Sequence, residues 1–97
     1  MAYGLVLVFE GVTEADYWTV NDKLGIKADS NDGYPEGMIA HAGGPTETGW
    51  VVIEMWDSKT AQEAFMNTRL GAALAASGVK PPSQVIETNT VNAKLLR

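Results

Sequence analysis

Apolar and polar positions change period along the chain, and each change marks an element. Tyr3 to Phe9 is dense in Val, Leu and aromatic residues and reads as a strand closed by Glu10-Gly11. From Thr13 the period lengthens, with Tyr17, Val20 and Leu24 at helical spacing and Trp18 on the flank. Thr13 can cap that helix, Glu14 and Asp16 suit its positive end, and Gly25 suits its stop. Asp29 to Gly37 is rich in turn formers and reads as a loop. Met38 to Ala42 reads as a short second strand, Gly43 to Thr48 as a hairpin loop, and Trp50 to Trp56 as a third strand. Ser58 can cap a second helix with Ala61, Ala64, Phe65 and Thr68 on its inner face. Ala72 and Ala73 continue that pattern after a break at Arg69-Leu70-Gly71. Gly78 and Pro81-Pro82 end the helix, and Gln84 to Val91 alternates as a fourth strand.

The order β-α-β-β-α-β predicts an α+β, ferredoxin-like domain spanning residues 1–97. It has a four-stranded antiparallel sheet with two helices on one face. The third strand is apolar on both sides: Trp50, Val52 and Trp56 point one way, and Val51, Ile53 and Met55 the other. Antiparallel strands usually leave one face to water. With helices on only one face, the expected cover for the other is a second copy of the chain, giving a homodimer through the open sheet face.

Composition narrows the function classes. A single domain of 97 residues buries only about 60–65% of its unfolded surface, so dimerisation helps it. The net charge of −5, with Lys and Arg scattered singly, argues against nucleic acid as a partner. The longest apolar run, Leu5 to Phe9, is far too short to span a membrane, and the N-terminus has no secretory pattern. The absence of cysteine fits a cytoplasmic protein and removes thiolate metal sites and a cysteine nucleophile. A single histidine cannot build a His-based metal site. The stretch from Asp29 fails as a calcium loop, because Tyr34 and Ala40 stand where Gly and Glu are needed. No metal is expected. Gly43-Gly44 leads into a strand and is a turn, not a phosphate loop.

The candidate chemistry is small. His41 is placed mid-strand, where it can serve as a general base or proton shuttle, or as a hydrogen-bonded structural residue. Glu54 is the one charge in the third strand and can form an acid–base pair with His41, or a salt-bridged rim carboxylate. If Gly44 pairs with Gly49, His41 opposes Val52 and has Glu54 as a diagonal neighbour. If Gly43 pairs with Gly49, the two side chains face opposite ways. Tyr17, Trp18, Tyr34 and Trp50 are candidates for lining an aromatic pocket, whereas Trp56 and Phe65 are expected in the core.

A Val- and Ile-rich strand ending in Trp56-Asp57-Ser58 opens directly into a helix with Ala61, Ala64 and Phe65. Upstream lie the strand Gly37-Met38-Ile39-Ala40-His41 and a glycine-rich hairpin. This pattern resembles the dimeric α+β barrel superfamily, in particular proteins similar to the antibiotic-biosynthesis monooxygenases. The resemblance implies a homodimer whose sheets face each other and a cavity between helices and sheet. It implies a cofactor-independent, monooxygenase-like enzyme acting on a hydrophobic or aromatic small molecule. A polyketide cyclase or isomerase, or a non-catalytic small-molecule-binding or structural module, fits the same pattern. No cofactor is expected. The haem-degrading branch needs a proximal histidine on a helix, and His41 sits on a predicted strand.

Overall fold

Strand β1 (Ala2–Glu10) sits inside the sheet, flanked by β3 (Gly49–Trp56) and β4 (Gln84–Thr90), with β2 (Met38–Pro45) on the far edge of β3. The order β2-β3-β1-β4 is antiparallel throughout in this computed structural model, which describes residues 2–96. The order β-α-β-β-α-β and the ferredoxin-like topology are those expected from the sequence.

Helix α1 (Glu14–Leu24) starts where its local chemistry dictates. Thr13 Oγ1 accepts from the Asp16 backbone N–H at 3.2 Å, and Asp16 Oδ2 accepts from the Thr13 N–H at 3.0 Å. Gly25 stops the helix in the left-handed region at φ +77°, where a side chain would be strained.

The second helix departs from the expected pattern. Ser58 caps α2 (Lys59–Phe65), as read from the sequence. Arg69-Leu70-Gly71 does not break it. The chain instead runs through a π-helical turn (Met66–Leu70) into α3 (Gly71–Ala76). The wider turn shifts the phase of the buried stripe. Gln62, Phe65, Leu70, Ala73 and Leu74 face inward, while Ala64, Thr68 and Ala72 are exposed.

The core lies between these helices and the inner sheet face. Tyr3, Leu5, Leu7 and Phe9 alternate inward on β1, opposite Trp56, Glu54, Val52 and Trp50 on β3. Trp56 is completely buried and packs on Phe65 with ring centroids 5.7 Å apart. Burial of each large apolar side chain contributes about 1.5–3 kcal/mol. The outer face is different: Val51 and Met55 are half-buried, and Ile53 and Ile86 are 52% and 51% exposed.

The hairpin follows neither expected register. Strand β2 extends to Pro45, and only Thr46 to Thr48 turn the chain. The turn is closed by Thr46 N–H on the Gly49 carbonyl and Gly49 N–H on Thr46 Oγ1, both at 3.0 Å. Gly43 and Gly44 therefore lie in the strand, opposite Val52 and Val51. Their flexibility is not used for turning. At Gly43 the missing side chain leaves room for Tyr17 and Trp50, since a Cβ there would sit 3.0 Å from Tyr17 Cζ.

Candidate functional site

That register puts His41 directly opposite Glu54, a non-diagonal pairing. Both point inward, and Glu54 is only 6% exposed. His41 Nδ1 lies 3.3 Å from Glu54 Oε2, within ion-pair range but without hydrogen-bond alignment. The other carboxylate oxygen, Oε1, accepts from Trp56 Nε1–H at 2.9 Å. On the far side of the ring, His41 Nε2 is 2.6 Å from the Tyr17 hydroxyl. With the imidazole proton on Nδ1 beside the carboxylate, Nε2 accepts and Tyr17 donates. The result is a row of Tyr17, His41, Glu54 and Trp56 drawn from α1, β2 and β3.

Tyr17 is held on the inner face of α1 by the period that also places Val20. Its ring stacks on Trp50 at 4.9 Å. Burial is the main cause that pushes its hydroxyl above the usual tyrosine range. The Asn21 amide opposes that shift, and the neighbouring Tyr34 and Glu54 add to it. Tyr17 is thus a neutral donor at ordinary pH.

These groups form the polar end of a cavity of about 50 Å³. Its remaining wall is apolar, with Leu7, Phe9, Val20, Val52, Leu70 and Leu74 among its residues. Such a volume holds roughly three or four water molecules. A flat aromatic ligand needs more room than this volume offers. Beyond His41 and Met38, which belong to both walls, an open groove of about 530 Å³ runs along β2 and the loop before it.

The residues expected at the site divide accordingly. His41, Glu54, Tyr17 and Trp50 come together around the cavity. Tyr34 lies on the groove side, with its ring 5.6 Å from that of His41. Trp18 does not line either space. One residue beyond Tyr17, it is rotated about 100° around the helix. It is 41% exposed, donates to Glu14 Oε2 at 3.1 Å and meets Tyr17 edge-on. Asn21 was not singled out from the sequence, yet it is buried and lines the cavity. The signal was its spacing: it follows Tyr17 by one helical turn, a polar residue within an apolar stripe. Among the described residues no cluster of three His, Cys, Asp or Glu could hold a metal ion, and no helix is long and apolar enough to cross a membrane.

No family model and no curated protein matches the sequence. Solved structures do match its fold. A candidate antibiotic biosynthesis monooxygenase from Chloroflexus aurantiacus is 18% identical, with full coverage of both chains and a TM-score of 0.64. Rv0793 from Mycobacterium tuberculosis is 11% identical over 96% of this chain and 98% of its own, with a TM-score of 0.65. A dimeric ferredoxin-like protein of unknown function from Thermobifida fusca is 16% identical, covering 90% and 86%, with a TM-score of 0.51. The fold is ferredoxin-like. At these identities the likeness concerns architecture, and the chemistry has to be argued from the site.

Proposed function

We propose that this protein is a small acid–base enzyme acting on a hydrophobic small molecule without a bound cofactor. The observation that carries this reading is His41, held between Tyr17 and Glu54 at the polar end of an apolar cavity. A proton leaving the substrate passes to the Tyr17 oxygen as the Tyr17 proton moves to His41 Nε2. Glu54 stabilises the imidazolium that results. Proton removal of this kind begins cyclisations and isomerisations. It also begins monooxygenase-like chemistry, in which an activated aromatic carbanion itself reduces oxygen, and the structural likeness to a candidate monooxygenase supports that version. An aromatic substrate would require the cavity lining to part. The small volume favours, as a second reading, a module that binds a ligand without transforming it.

The working unit in this proposal is a homodimer. Val6, Val8, Val51, Ile53, Met55 and Ile86 share the sheet face opposite the helices, as the pairing registers require. A contiguous apolar face of this kind is uncommon on monomers, and the Thermobifida fusca neighbour is described as dimeric. Lack of cysteine fits a cytoplasmic location.

The test is turnover of a panel of activated aromatic and carbonyl compounds, followed by proton exchange and oxygen uptake. Wild type should turn over at least one class, and His41→Ala should lower that rate roughly 10²–10⁴-fold. Turnover unchanged in His41→Ala would remove the acid–base reading. Binding without turnover would leave the ligand-binding module.

A further inference from the structure

In the loop between α1 and β2, Tyr34-Pro35-Glu36 forms a short strap between two glycines in the left-handed region. They are Gly33 at φ +87° and Gly37 at φ +92°. That backbone lets the chain turn sharply at both ends of the strap. Each end is held through a glycine carbonyl. At one end the Asp57 N–H, just past β3, donates to the Gly37 carbonyl at 2.7 Å. At the other, the Arg69 guanidinium donates to the Gly33 carbonyl at 2.9 Å.

The two anchors differ in kind. The first is a main-chain bond beside the sheet. The second is a single exposed side chain, projecting from the π-helical turn with its guanidinium carbon 5.5 Å from the Phe65 ring centroid. The same Arg69 nitrogen donates to the Leu24 carbonyl at 2.9 Å. That carbonyl is one of those the end of α1 leaves without a helical partner, and a cation suits it. Arg69 thus clips the strap to the end of α1.

The strap covers His41. Tyr34 is half-buried on the groove side, its ring 5.6 Å from the imidazole, and the His41 side chain is only 14% exposed. The strap also has room to move. Pro35, Glu36 and Gly37 border two open spaces. One is the groove along β2. The other, of about 520 Å³, lies on the side of α2, and Arg69 forms part of its wall.

We propose that Tyr34-Pro35-Glu36 is a gate over His41 and that Arg69 is its latch. With Arg69 on the Gly33 carbonyl, the Tyr34 ring stays against the imidazole and the groove ends there. When the guanidinium lets go, the strap pivots at Gly33 and Gly37 into the second space, and the groove reaches His41. Arg69 is a positioning residue, acting through Gly33 on Tyr34. Opening would join the groove of about 530 Å³ to the smaller cavity whose wall His41 and Met38 share. The gate governs access, so it goes beyond the acid–base reading and applies equally to a cavity that only binds.

The test needs no substrate. His41 is the only histidine in the chain, so its carbethoxylation by diethyl pyrocarbonate reports opening of the gate. The reaction is followed on the full chain near neutral pH by the absorbance of N-carbethoxyhistidine. Wild type should react slowly. Arg69→Leu should react roughly tenfold faster through loss of the latch bonds, and Arg69→Lys should recover part of the protection. Tyr34→Ala removes the gate itself and should raise the rate at least as much. Combining Arg69→Leu with Tyr34→Ala should give the rate of Tyr34→Ala alone, because the latch has nothing left to hold.

Amide hydrogen exchange separates opening from unfolding. The amides of β1 and β3 should keep their wild-type rates in Arg69→Leu. An unchanged His41 rate in Arg69→Leu, gains that multiply in the double variant, or faster exchange throughout β1 and β3 overturns the latch. None of these results touches the acid–base reading, which is decided by turnover in His41→Ala.

Discussion

The two faces of β3 carry different kinds of information. Inward, Trp50, Val52, Glu54 and Trp56 are all buried, and the Trp56 indole is bonded to Glu54. Outward, Val51, Ile53 and Met55 alternate with them along the same strand and stay partly or largely exposed. The inner face is satisfied by this chain alone, through α1 and the segmented second helix. The outer face is left without a covering layer by the described residues. One strand thus holds a finished half, which carries the fold and the candidate chemistry, and an unfinished half, for which a second copy is the proposed cover.

Mutations separate the halves. Trp56→Ala should have the largest effect, lowering stability by about 3–5 kcal/mol in urea denaturation, because it empties a fully buried site and frees Glu54. An unchanged midpoint would mean that the inner face is less closed than the structure shows. Ile53→Asp tests the other side. In a symmetric interface the new carboxylate appears twice, so the dimer should weaken at least about a hundredfold while the fold persists. Sedimentation should then report monomer at micromolar concentration, and an unaltered dimer would place the interface elsewhere.

Glu54→Leu should cost about 1–3 kcal/mol, since the Trp56 N–H is left buried without an acceptor. Glu54→Gln keeps an acceptor and should recover most of that loss, which urea titration of the pair can establish.

The smallest effect is on alkaline stability. Burial holds Tyr17 neutral in the native state above the tyrosine range near 10. Tyr3 is raised in the same direction, first by burial and then by its hydrogen bond to Glu87. The contribution of each is complete below the unfolded-state value and is lost as pH climbs from there through the raised native value. Unfolding free energy should therefore fall as pH rises above about 10, and Tyr17→Phe should fall less steeply. Parallel slopes would show that the Tyr17 hydroxyl is more hydrated than its packing indicates.

Most of the architecture was legible because it is locally encoded. Thr13 with Asp16, Gly25, Ser58 and Gly78 declare helix ends by their own hydrogen-bonding and backbone preferences. Trp56 and Phe65 declare the core by size. The π-helical turn was not legible, because nothing about Met66 to Leu70 distinguishes five residues per hydrogen-bonded loop from four; Leu70 and Leu74, at its end and just beyond, are buried in the core. The hairpin register was hidden for a related reason. Gly43 and Gly44 suit a turn as well as a strand, and the choice depends on Tyr17, a residue far away in sequence. His41 and Glu54 were readable as a pair, but their direct opposition was not. Asn21 was overlooked because a helical Asn near an acidic and basic stretch looks like a surface residue until its neighbours are assembled.

The tight turn at Thr46 to Thr48 has one more consequence. Pairing slipped by a single residue would send His41 to the opposite side of the sheet from Glu54. The hydrogen-bond ladder would survive such a slip almost intact, so backbone measurements could miss it. The histidine would not: its ring would lose both Tyr17 and the carboxylate at once. A histidine resonance is therefore a fidelity gauge for this hairpin, one that counts the correctly registered molecules rather than the folded ones.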